Sequence, residues 1–200
     1  MSMRKLVILT FLSLDGVMQA PGGKGEDPSG GFELEGWAVP YFDDVLGEEM
    51  GRQMGRPFDL LVGKKTFDIF AGYWPKQGEG DAFKNSKKYV VSDEPVNTDW
   101  QETIPINGDA VAEIKKLKQQ DGPMLQVHGS SQLIQTLLKN DLADELWLKI
   151  FPVTLGKGKR LFGDGTIPAA FKLTDCKTSP SGVIIASYKR DGEVQTGTFA

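Results

Sequence analysis

The sequence predicts a three-layer α/β domain whose mixed sheet has a parallel core and antiparallel C-terminal strands, with helices on both faces. Three observations carry this prediction. The runs Lys5 to Leu12 and Phe58 to Val62 are almost unbroken apolar sequence, the pattern of strands buried on both faces. Between residues 40 and 140 strand and helix patterns alternate. From Glu145 onward strand patterns follow one another with no helix between them, so those strands must turn back on their neighbours.

The first strand ends at Ser13-Leu14-Asp15-Gly16 and opens a polar, glycine-rich stretch through Gly36. Residues 15–36 are too long for a plain connection and read as a mobile loop, either a lid or a disordered insertion. From Pro40 the spacing of Phe42, Val45, Leu46, Met50 and Met54 is helical, and the second strand, Phe58 to Val62, runs into Gly63-Lys64-Lys65-Thr66. A short helix to Phe70, with Phe67 and Phe70 inward, is expected to break before Gly72. Lys88 to Ser92 is a third strand. Asp109 caps a helix that buries Val111, Ile114 and Leu117 and feeds the strand Met124 to His128. Gly129 then turns the chain into a helix capped by Ser130, apolar at Leu133, Ile134, Leu137 and Leu138, with Asn140 as a left-handed stop. Glu145 to Pro152, Phe171 to Cys176 and Gly182 to Lys189 are the closing strands. One domain over residues 1–190, with a tail at 191–200, accounts for the pattern.

At 200 residues, 40% hydrophobic and 25% charged, the chain can bury a core of its own without a disulfide or a structural metal. Cys176 is the single cysteine and His128 the single histidine, which excludes an internal disulfide and an ordinary zinc site. Cys176 reads as a small apolar filler within a strand, and the chain as cytoplasmic. The net charge of −4 comes from 23 basic and 27 acidic residues with no dense basic run, which argues against nucleic acid or anionic membrane as a partner and leaves small molecules. Arg4-Lys5 followed by apolar residues to Leu14 has the outline of a secretory leader, but Asp15-Gly16 closes it early and a buried first strand explains the same letters. No apolar run approaches membrane-spanning length.

The candidate chemistry lies at strand ends. A helix start leaves backbone N–H groups unpaired at the positive end of the helix dipole, so Gly129, Ser130 and Ser131, flanked by His128, Gln132 and Leu133, form a candidate phosphate cradle. Gly63-Lys64-Lys65-Thr66 and Ser92 end two further strands in groups suited to a polyanion, and such ends converge on one crevice in open α/β sheets. Neither familiar phosphate motif is present. Phe58 stands where a P-loop needs its first glycine, and Gly156-Lys157-Gly158 lacks the third glycine of a dinucleotide fingerprint. Plain structural readings stand beside these: Ser130 as a helix cap, Lys64 and Lys65 as solvated charges, and Asp93 as a neighbour that would repel a phosphate at Ser92.

Five segments occur in a telling order. They are Ser13-Leu14-Asp15-Gly16, Leu61-Val62-Gly63-Lys64-Lys65-Thr66-Phe67, Val91-Ser92, Val127-His128-Gly129-Ser130, and Asp144-Glu145-Leu146 through Phe151-Pro152-Val153-Thr154-Leu155-Gly156-Lys157-Gly158 to Leu161-Phe162. From about Arg4 to Arg190 the chain thereby resembles the dihydrofolate reductase family, in the branch similar to the reductase domain of bacterial riboflavin biosynthesis proteins. The resemblance implies a dihydrofolate-reductase-like sheet, a homodimer, and NADPH as cofactor. It implies Gly63, Lys64, Lys65, Thr66 and Ser92 near the ribose bearing the 2′-phosphate, with Gly129, Ser130, Ser131, Gln132 and Leu133 around the pyrophosphate. It places the substrate against Leu14, Asp15, Trp37, Phe67, Phe70 and Trp74, whose rings can stack on a planar heterocycle. One departure concerns the acid. Dihydrofolate reductases proper place a proton-relaying carboxylate soon after a Trp-x-x-Pro element, whereas here Trp37-Ala38-Val39-Pro40 is followed by Tyr41-Phe42-Asp43, one position late.

The expectation is a metal-independent oxidoreductase that uses NADPH to deliver a hydride to a C=N or C=O carbon of a small pterin- or pyrimidine-like substrate. Asp15 or Asp43 orients that substrate or relays a proton, and Asp15 is favoured because it ends a rigid strand. Two other readings use the same letters: a nucleotide-binding protein without turnover, and a dimerising module built on the antiparallel strands.

Overall fold

The computed structural model describes residues 3–97 and 99–199. In chain order its elements are β1 (Leu6–Ser13), α1 (Asp44–Met54), β2 (Phe58–Gly63), α2 (Lys64–Tyr73), β3 (Lys88–Val91), β4 (Thr103–Ile106), α3 (Ala110–Gln119), β5 (Met124–Val127), α4 (Ser131–Lys139), β6 (Glu145–Phe151), β7 (Phe171–Thr178) and β8 (Ile184–Arg190). Short 3-10 turns occupy Ser29–Gly31, Val39–Tyr41 and Trp74–Gly80. The strands form one eight-stranded sheet of order β4-β3-β2-β5-β1-β6-β8-β7. Every pairing from β4 to β6 is parallel, and β6 with β8 and β8 with β7 are antiparallel, so the predicted fold class is the observed one.

β1 takes the centre because both of its faces are apolar. Leu6, Ile8 and Leu12 join the core under α3 and α4, while Val7 and Leu9 face the α1 side beside Trp147 and Met50. Ile8 is opposite Val127 of β5 on one side and Leu146 of β6 on the other, which sets the parallel register. α4 seals one face with Leu133, Ile134, Leu137 and Leu138, all buried. Each such side chain contributes about 1.5–3 kcal/mol over leaving it in water, well above helix-propensity differences of at most about 0.7 kcal/mol. On the other face α2 and the 3-10 turn at Trp74–Gly80 enclose Phe58, Leu60, Val62, Phe67 and Phe83.

Several local expectations differ from the structure. β4 has no counterpart in the strand reading: it is a four-residue edge strand containing Pro105, tolerable only at an edge because proline cannot donate to a ladder. α2 does not break before Gly72 but continues to Tyr73, where the chain tightens into the 3-10 turn. Ser130 occupies the N-cap position of α4, yet its side chain makes no cap bond. The left-handed residue after α4 is Asp141, at φ 49°, because Asn140 instead turns its side-chain amide back to the Thr136 carbonyl at 2.9 Å. Cys176 lies in β7 as expected, but exposed on an edge strand and not as a buried filler.

Residues 15–36 are closely tied together in this structure. Gln19 Nε2 donates to the carbonyls of Asp27 at 2.8 Å and Ser29 at 2.9 Å, and the Glu35 carboxylate accepts from the amides of Gly25 at 2.9 Å and Asp27 at 2.8 Å. Phe32 is buried beneath the loop beside Val17 and Trp37. The loop lies against the segment after β6, where Met18 N donates to Lys159 O at 2.8 Å.

Candidate active site

A cleft of about 520 Å³ opens beside the carboxyl ends of β2 and β5. Part of it is polar, formed by Lys65 and Thr66 from the first turn of α2, the corner His128 to Ser131, Lys159, and Glu26 and Asp27 of the 15–36 loop. Another part is apolar, formed by Leu9 and Phe11 of β1, Met50 and Met54 of α1, and the rings of Phe70, Trp74 and Phe83. Such a division suits a ligand with a charged body and a flat apolar head.

Two glycines let the polar walls meet. The Gly63 amide donates to Gly129 O at 3.3 Å, joining the end of β2 to the β5–α4 corner. A Cβ on Gly63 would run into the Ser130 hydroxyl, and a Cβ on Gly129 would stand 2.5 Å from Thr66 Oγ1. The peptide between Gly129 and Ser130 is cis. Behind this corner α4 starts at Ser131, which lines the cleft, so the helix N-terminus with its unpaired first amides lies at the cleft wall.

The charges are unevenly balanced. Asp27 accepts from both cleft lysines, Lys65 and Lys159, the latter at 2.6 Å, and from Ser29 Oγ at 2.6 Å. Burial alone would raise its carboxyl pKa, but Lys159, Lys65 and Ser29 outweigh burial and hold it well below the usual range. Glu26 makes no ion pair among the described residues. Burial raises its pKa more than the amides of Gly22, at 2.6 Å, and Gly23, at 3.2 Å, lower it. Burial and, behind it, the Lys149 ammonium push the His128 pKa down to about 3, so the ring is neutral. Lys149 of β6 is fully buried with its ammonium donating to Gln53 Oε1, and loss of hydration brings its pKa down to about 7.

The structure gathers some of the sequence-predicted residues and separates others. Lys65, Thr66, His128, Gly129, Ser130, Ser131, Phe70 and Trp74 line the cleft. Gly63 backs its wall, and Leu133 and Phe67 belong to the core. Gln132 is on the outer side of α4's first turn, where its carbonyl accepts from Thr136. Lys64 pairs with Asp68 at 2.6 Å, and Ser92 closes a turn through Glu94, its hydroxyl 2.9 Å from both the Glu94 carbonyl and the Glu94 amide. Trp37 donates its indole N–H to Gln19 O at 2.8 Å and packs edge-on against Phe151, while Leu14 is 61% exposed.

Neither proposed acid is among the cleft-lining residues. Asp15 fastens two chain segments: its oxygens accept from Ser13 Oγ at 2.6 Å, Leu155 N at 3.0 Å and Gly156 N at 2.8 Å. The Ser13 bond above all, with the two amides, lowers its pKa to about 2. Asp43 is the N-cap of α1, accepting from Leu46 N at 2.9 Å, and also receives Ser181 N at 3.0 Å. The Leu46 bond leads the causes that lower its pKa to about 2. The cleft carboxylates Glu26 and Asp27, and Lys159, were not singled out by the sequence reading. The one sequence signal for Lys159 is Gly158 beside it, where a Cβ would stand 2.5 Å from Val17 Cγ1, so the loop must pass close to the 15–36 segment.

The fold defines a dihydrofolate-reductase-like protein. Residues 4–185 match the RibD C-terminal domain family, and the chain belongs to that family. It is 31% identical to the uncharacterized protein YyaP of Bacillus subtilis strain 168, over 94% of this chain and 96% of that protein. It is 24% identical to the uncharacterized protein YwjB of the same strain, over 87% of this chain and 91% of that protein. Among solved structures, a protein assigned to riboflavin biosynthesis from Shewanella sp. PV-4 superposes with a TM-score of 0.68 at 22% identity, covering 94% of this chain and 99% of that one. A dihydrofolate reductase from Enterococcus faecalis, complexed with NADP(H) and RAB-propyl, superposes with a TM-score of 0.56 at 12% identity, covering 94% and 96% of the two chains. Those likenesses show the fold, and the family supports a reductase-type function. Among the described residues no helix is long and apolar enough to cross a membrane.

Proposed function

We propose that the chain is an NADPH-dependent reductase of a small planar heterocycle, pterin-like or pyrimidine-like. The observation that carries this reading is the convergence of Thr66, Lys65 and the Gly129 to Ser131 corner on one cleft that also holds an aromatic wall. The residues fit the cofactor: the missing Cβ at Gly129 leaves room at the corner, the first amides of α4 suit a pyrophosphate, and Lys65 and Lys159 supply positive charge. Lys64 and Ser92, which the resemblance puts near the 2′-phosphate, are not among the cleft-lining residues. Bound there, NADPH supplies the hydride. Phe70, Trp74 and Phe83 hold a flat ring and keep water away from it. Of the two cleft carboxylates, Asp27 is tied to lysines, which leaves Glu26 as the group that can hand a proton to the reduced heteroatom.

The test is an NADPH titration followed by cofactor fluorescence, then loss of NADPH absorbance across a panel of pterins and pyrimidines. Absence of cofactor binding sinks the reading. Tight binding with no turnover on any member of the panel favours the non-catalytic nucleotide-binding alternative. The homodimer implied by the family resemblance is tested separately by sedimentation.

A further inference from the structure

The only histidine of the chain lines the cleft, and its hydrogen bonding is fixed from behind. Gln126, which is fully buried, donates its side-chain Nε2 to the backbone carbonyl of Gln53 at 3.1 Å. A carbonyl only accepts, so the Gln126 amide cannot be turned round, and its Oε1 must face His128 Nε2, 3.2 Å away. In a neutral imidazole one nitrogen carries the proton and the other accepts. Nε2 is therefore the protonated nitrogen and Nδ1 the acceptor. The support continues deeper: the Gln53 side chain accepts from Lys149 and donates to Glu49 at 3.0 Å. Two rings hold the imidazole edge-on, Phe83 at 5.5 Å and Phe70 at 6.1 Å between centroids. His128 Nδ1 has no hydrogen-bond partner among the described residues, and no partnerless polar side-chain atom there is shut off from solvent, so Nδ1 opens into the cleft that the ring lines.

We infer that His128 is a specificity-determining residue of the substrate half of the cleft, where its Nδ1 accepts a hydrogen bond from a ring N–H or amino group of the planar substrate. The inference rests on the reductase reading and moves His128 from the cofactor side, where the sequence placed it, to the substrate side. An acceptor fixed beside two stacked phenylalanine rings selects heterocycles that present a donor at their edge and rejects those that present a carbonyl or an N-methyl group there.

The experiment compares lumazine, a flat pteridine with ring N–H donors, with 1,3-dimethyllumazine, which has none. Each is titrated against the whole chain with and without NADPH by quenching of tryptophan fluorescence. His128→Asn places an amide oxygen near the Nδ1 position, whereas His128→Gln keeps the donor to Gln126 Oε1 through its Nε2 and carries its amide oxygen away from the Nδ1 position. The expected result is a preference of about tenfold for lumazine in the wild type and in His128→Asn, lost in His128→Gln, with NADPH affinity equal in all three. An equal preference in all three proteins overturns the inference, as does absence of lumazine binding by the wild type. Because lumazine is also read without NADPH, failure of cofactor binding would sink the reductase reading and still leave this preference measurable. Melting curves of the three proteins confirm that each is folded.

Discussion

Gly129 and Thr66 touch only because residue 129 has no side chain: a Cβ there would be 2.5 Å from the threonine hydroxyl oxygen. The first turn of α2 and the β5–α4 corner are thus joined through a position that admits glycine alone.

Gly129→Ala is accordingly expected to push α2 away from the corner, costing about 1–3 kcal/mol of stability and weakening NADPH by about tenfold or more. Gly129→Asp adds a negative charge to the same spot and is expected to abolish cofactor binding. Thermal melting and a fluorescence titration measure the two effects separately.

Asp27 neutralises the two cleft lysines, Lys65 and Lys159. Asp27→Asn leaves both ammonium groups free for an anion, so NADPH is expected to bind several-fold tighter at low salt, with affinity falling more steeply as salt is added. A titration at two ionic strengths checks this, and weaker binding by the variant would show that the lysines need Asp27 to hold their positions.

Lys149 has a folded pKa of about 7 against an ordinary value of 10.5. The unfolded chain therefore holds this proton between those values while the folded chain does not, so the wild type gains stability as pH rises from about 7 to about 10, at up to about 1.4 kcal/mol per pH unit. Lys149→Met lacks the gain. The expected outcome, read by urea unfolding, is a stability advantage of the variant that is largest near neutrality and shrinks as the solution becomes alkaline.

Asp43 caps α1 and ties it to Ser181, and it is ionised down to a pKa of about 2 against an ordinary 3.8. Its depressed folded pKa means that the stabilisation is complete above the ordinary value and is lost as pH falls toward about 2. Asp43→Ala is expected to lower the melting temperature at neutral pH and to leave NADPH affinity unchanged, while Asp43→Asn, which still caps, lies between. A loss of turnover out of proportion to the loss of stability in Asp43→Asn would restore the acid role that its position after Trp37 implies.

The large elements were legible because each obeys one strong rule. β1 is apolar on both faces, α4 repeats its leucines at helical spacing, and the strands after Glu145 have no helix between them. The corner at Gly129 was legible because a glycine between a buried strand and a capped helix has few other uses. What escaped notice depends on contacts distant in sequence. Asp15 reads as a strand-end acid until Leu155 and Gly156 are seen to donate to it across the fold. Asp27 gains its role from Lys65 and Lys159, each far along the chain, and β4 hides because its proline and exposed residues mimic a loop.

β4 faces β3 through the carbonyls of Glu102 and Ile106, which accept from Lys88 N at 2.8 Å and Ser92 N at 3.0 Å. Backbone polarity alternates along a strand, so Thr103 and Pro105 are turned outward, and Pro105 has no hydrogen to offer. A stray strand arriving at that rim meets a missing rung, and sheet-to-sheet growth into fibres is blocked there by one residue's covalent chemistry.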